Sequence, residues 1–78
     1  MSSSLHNHQI TSLREKTFDQ IQIKRYGLDC WLLIGIQNEL HVFVNNKGER
    51  KRYRHAWQIK EWLKNEFEIS ENEIDFIK

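Results

Sequence analysis

The sequence predicts an α+β fold: a four-stranded antiparallel β-meander with one main C-terminal helix packed on one face, and a short N-terminal helix. Three observations carry this. QIQIKRY (20–26) alternates apolar and polar residues with the two-residue period of a strand, and LHVFV (40–44) is a mostly apolar run of strand length. CWLLIGIQ (30–37) is an apolar run of strand length. In HAWQIKEWLKNEF (55–67), Ala56, Ile59, Leu63 and Phe67 recur at three and four residues and form one helical stripe.

The chain has 78 residues and a net charge of +1, which makes one domain with a compact core. Residues 1–8 are small and polar and read as a flexible tail; residues 9–78 form the single domain. Three Trp, four Phe and two Tyr supply the large burial per residue that so small a core needs.

Each element has its local reason. Residues 9–20 carry Ile10, Leu13 and Thr17 at helical spacing, with Ser12 and Glu15 placed as a capping box. GLD (27–29) marks a turn between the first two strands. A three-residue loop, Gln37 to Glu39, sets Ile36 beside Leu40 and Ile34 beside Val42. Cys30, Leu32, Ile34, Ile36, Leu40, Val42 and Val44 then share the inner face, and Trp31, Leu33, His41 and Phe43 the outer one.

NNKG (45–48) is the next turn, with Gly48 free to go left-handed. ERKRYR (49–54) follows as the fourth strand, Val42 facing Lys51 and Leu40 facing Tyr53, unless a bulge at Gly48 shifts the pairing by one. Tyr53 then points inward, and Arg50, Arg52 and Arg54 point outward. At about 100° per residue, Trp57 and Trp62 fall on opposite flanks of the last helix stripe. In the tail, Ser70 with Glu73 is placed to cap one more turn, and Ile74 and Phe76 alternate like a short strand.

Two binding surfaces follow. The outer face gathers Trp31, His41, Phe43, Tyr26 and Lys24 with Arg50, Arg52 and Arg54, a set able to stack bases and neutralise phosphates. Alternatively the N-terminal segment covers those rings through Leu5, Ile10, Leu13 and Phe18. The second surface is the helix flanked by Trp57 and Trp62, next to a basic segment, 47–55, whose complement is the acidic stretch 61–78. The first expectation is protein association, including self-association; the alternative is nucleic-acid binding.

Other chemistry is thinly represented. His6 and His8 form an HxH pair with no third ligand in evident reach, so no metal is expected. There is no nucleophile elbow, phosphate loop or paired-carboxylate cleft, so neither an enzyme nor a cofactor is expected. The single Cys30 in an apolar run reads as a buried thiol of a reducing compartment. MSSSLHNH lacks the pattern of a signal peptide, and CWLLIGI is too short to span a bilayer. A cytoplasmic protein without a membrane partner is therefore expected.

The run from Trp31 to Leu63, WLLIGIQNELHVFVNNKGERKRYRHAWQIKEWL, resembles small bacterial proteins in which a strand pair leads to a Gly turn, an aromatic-and-Arg strand and a helix. The resemblance implies the fold and no activity. NNKGERKRYR is similar to the basic hairpin of the arm-binding domains of phage-type integrases, although here the last helix leads into an acidic tail. The double-stranded-RNA-binding domain shares the helix–strands–helix order. It opens its last helix on lysines, whereas HAWQIKEWL has only Lys60, so that match is not carried.

Overall fold

The computed structural model describes residues 4–77. In chain order these form α1 (Ser4–Glu15), β1 (Gln20–Tyr26), β2 (Asp29–Ile36), β3 (Glu39–Val42), β4 (Arg52–Tyr53), α2 (Ala56–Phe67), a single 3-10 turn (Glu71–Glu73) and β5 (Ile74–Ile77). The sheet runs β3-β2-β1-β5, with β4 also on β2. The α+β class holds. The sheet, however, has five strands and is mixed, because β5 joins parallel to β1 with Ile21 beside Ile74. A chain returning from a helix layer can enter parallel to the strand it meets, which a hairpin cannot do.

β1 and β2 are joined through Gly27, whose φ of 60° supplies the left-handed first position of a two-residue hairpin turn. The next turn corrects the expected register. It has two residues, Gln37 and Asn38, both left-handed at φ 53° and 67°, the signature of a type I′ turn. Ile36 therefore faces Glu39, Ile34 faces His41 and Leu33 faces Val42. A one-residue change reverses the whole strand. Leu40 and Val42 turn outward, and Phe43 turns inward, where it is buried. The inner position thus goes to the larger apolar side chain.

β4 does not pair with β3 as expected. Phe43 N–H still donates to the Leu32 carbonyl, but Trp31, the next rung of β2, faces Arg52. β3 and β4 are thus one interrupted strand along a single edge of β2. The intervening residues leave as a short hairpin, held by a Val44–Arg50 bridge and by Lys51 N–H on the Phe43 carbonyl. Asn45 Oδ1 accepts the Lys47 and Glu49 amides, and Gly48, at φ 83°, closes the turn. Tyr53 points inward and Arg52 outward, as the alternation required.

Both helices pack on the inner face. The α2 stripe, Ile59 and Leu63, meets Cys30, Leu32 and Ile34. α1 begins at Ser4, so residues 4–8 are helix; residues 1–3 of the expected tail lie outside the described residues. Ser12 lies buried in its last turn, not at its start, and the helix ends at left-handed Lys16 with Thr17 N–H on the Ser12 carbonyl. Leu13 enters the same core as α2. The Gln9 carboxamide, fully buried, donates to the Val42 carbonyl at 3.0 Å and accepts the Val44 amide at 3.0 Å. One side chain thereby pairs the sheet edge on both sides of Phe43, as a residue of a neighbouring strand would. This anchorage holds α1 on the helix layer, away from the outer face.

Ser70 and Glu73 bracket the 3-10 turn, Ser70 N–H donating to Glu73 Oε2 at 2.9 Å. Lys60 of α2 ties this region down. Its Nζ donates to Glu71 Oε1 at 2.8 Å and lies 4.3 Å from the Phe76 ring centroid. The hydrogen bond from Lys60 and its charge hold the Glu71 carboxyl below the usual range.

Candidate functional surfaces

With both helices on one side, no helix among the described residues covers the other side of the sheet. Alternation places Tyr26 and Lys24 of β1, Trp31 and Leu33 of β2, Leu40 and Val42 of β3, Arg52 of β4 and Ile77 of β5 on it. Tyr26 is 53% exposed, Leu40 38% and Ile77 37%. A shallow hollow of about 460 Å³ lies at its centre, walled by Tyr26, Trp31, Leu33, Val42 and Arg50. Tyr26 meets Trp31 edge-on, with ring centroids 6.1 Å apart, and the Arg50 guanidinium carbon lies 5.8 Å from the Trp31 ring. The Trp31 indole N–H is shielded from solvent and meets no acceptor among the described residues. Arg52 approaches Asp29 at 3.9 Å.

The eight residues singled out from the sequence do not form one site. Trp31, Arg50 and Arg52 come together on the open face. Phe43 is in the core against Trp62, with ring centroids 5.3 Å apart, and against His6 at 5.6 Å. His41 is at the edge, bonded to Glu39 at 3.2 Å. Arg54 lies beyond β4 on the helix side, beside Gln58 and Trp62. Of the two helix tryptophans, Trp62 is half-buried against Phe43 and Phe67, while Trp57 is 58% exposed and stacks on His55. Leu40 and Val42 join the open face instead of the inner one because the turn has two residues and not three.

Elsewhere, His6 Nδ1 donates to the Val44 carbonyl at 2.8 Å, and among the described residues no three His, Cys, Asp or Glu side chains gather to hold a metal. Cys30 is buried and unpaired by disulfide. No helix among the described residues is long and apolar enough to cross a membrane. Comparison with known proteins finds no matching family model, no matching curated protein and no matching solved structure.

Tyr53 gives a pH prediction. Burial pushes its phenol up from 10.0 to about 12. The folded state therefore favours the neutral phenol. That stabilisation is complete below pH 10 and is lost as pH climbs through about 12. Urea midpoints measured across this range should fall for the wild type. Tyr53→Phe, with no phenol to ionise, should show a flatter decline.

Proposed function

We propose that this is a non-catalytic association module, in which the open sheet face packs against the same face of a second copy. The carrying observation is the partly exposed apolar patch of Leu33, Leu40, Val42, Trp31 and Tyr26, on the side opposite both helices. An antiparallel sheet can leave one face wet, but such faces are ordinarily polar. A contiguous apolar patch rimmed by charge is the usual mark of an interaction surface.

Charge supports a second copy as the occupant. Arg52 stands at the β4 edge of this face and Asp75 at the β5 edge. A twofold axis along the strands lays each basic edge over the partner's acidic edge, with the apolar strip between. The buried free thiol of Cys30 fits a reducing compartment, and we place the protein in the cytoplasm.

Sedimentation over a concentration series tests this. The wild type is expected to gain mass toward a dimer as concentration rises. Leu33→Lys removes an apolar contact worth about 1.5–3 kcal/mol. Association should therefore weaken by about tenfold or more. A monomer at every concentration, or a dimer indifferent to Leu33→Lys, would sink the proposal. Nucleic-acid stacking on this face has only Trp31 and Tyr26 to use, since Phe43 is turned inward.

A further inference from the structure

On the helix side, two adjoining hollows of about 540 and 310 Å³ share Lys51, Tyr53 and Trp62 as walls. The first adds Arg52, Arg54 and Gln58, and the second reaches Phe43 and the Asn45 turn. Together they make one groove between the start of α1, the hairpin excursion and α2. Its walls carry no carboxylate. Among the described residues, no acidic group lies within ion-pair distance of Lys51 or Arg54, and Arg52 is held only by Asp29 at 3.9 Å. The aromatic side is fixed: Trp62 is wedged against Phe43 and Phe67, and Lys51 Nζ lies 5.6 Å from the Tyr53 ring centroid.

A groove with two cations free of any carboxylate beside two half-buried rings selects a ligand that is both anionic and flat. We infer that it binds a nucleotide unit, with the phosphate between Lys51 and Arg54 and the base against Trp62 and Tyr53. Guanidinium groups match phosphate oxygens in fork geometry, and rings held by packing stack a base at small entropic cost. The groove lies across the sheet from the open face, so it stands or falls independently of self-association. The unit can come from a free mononucleotide or from a single strand, and the chemistry of recognition is the same.

The experiment is an amide and indole NMR titration of the full chain with AMP, with a single-stranded oligothymidylate, and with that strand in duplex. It is run at about 50 and 200 mM salt. Shifts are expected at Lys51, Tyr53, Arg54 and the Trp62 indole. With single strands each neutralised phosphate contributes about 0.7 to the salt slope, so two cations give about −1.4. Lys51→Gln with Arg54→Gln, both exposed, should leave the unliganded spectrum folded and bring the slope close to zero. Saturation by AMP identifies a free nucleotide as the source, and response to the oligonucleotide alone identifies a strand; either supports the inference. It is overturned if neither ligand moves these resonances, if shifts centre on Trp31, if the double variant binds unchanged, or if duplex binds better than single strand.

Discussion

Gln9→Met is expected to lower the stability of the domain by about 2–4 kcal/mol. Methionine keeps the length and roughly the volume of glutamine, so packing is little changed. The loss is electrostatic. The Val42 carbonyl and the Val44 amide each have their partner in the Gln9 carboxamide, and all three groups lie at least partly out of water. A buried polar group left without a partner costs about 1–3 kcal/mol. Two are orphaned at once, and the methionine, no longer desolvating an amide, recovers part of the sum. Denaturant unfolding followed by tryptophan fluorescence measures the total, and hydrogen exchange at the Val44 amide reports the site. A loss under about 0.5 kcal/mol would mean that water reaches this edge and does the same work.

The second large effect is Ile69→Ala, expected to cost about 2–5 kcal/mol. Ile69 is fully buried, yet it stands in the polar run between α2 and β5. Its position is set by Glu68, which takes the left-handed conformation at φ 57° and ψ 34° and turns the chain back onto the core. The Ile69 amide then donates to the Leu63 carbonyl at 3.2 Å, and Lys16 Nζ reaches the Glu68 carbonyl at 3.4 Å. Ile69 thus packs with Leu13, Ile59 and Leu63 where the two helices meet. A domain of this size has about 4–12 kcal/mol in hand, so the substitution consumes a large share of it. Ile69→Val serves as the graded control, at about 0.5–1.5 kcal/mol. Equal midpoints for the wild type and Ile69→Ala would show that this segment is not docked in solution.

These two residues mark where sequence reasoning ran short. Periodicity found what periodicity governs. Ile21 and Ile23 face the core as their alternation required, Ile59 and Leu63 form the helix stripe, and Trp31 points away from Cys30 and Leu32. Gln9 carries no such signal, because its value lies in an unpaired strand edge that only the folded chain brings to it. Ile69 follows a non-glycine residue in a left-handed turn, which no local preference announces.

The candidate surface failed at two points, a turn and a strand pairing. Asn38 tolerates a left-handed conformation, but Gln37 ordinarily does not, and only their pairing reveals a two-residue turn. One residue of register moved Phe43 into the core and brought Leu40 and Val42 onto the open face. The basic residues were visible as a cluster. Their division between two sides of the sheet was not, since it depends on where β4 rejoins β2.

The parallel ladder between β1 and β5 also bears on the order of events during folding. β1, β2 and β3 are linked by two-residue turns, so their ladders close between near neighbours. Ile21 must find Ile74 across more than fifty intervening residues. Closing so long a loop gives up more chain entropy before any contact repays it. The hairpins therefore zip early, and β1 waits with one bare edge until α2 has docked and delivered β5. During that interval the flank of β1 is an unpaired strand edge, the kind of edge that invites misassociation, and once β5 has docked the Lys60 contacts with Glu71 and Phe76 hold it there.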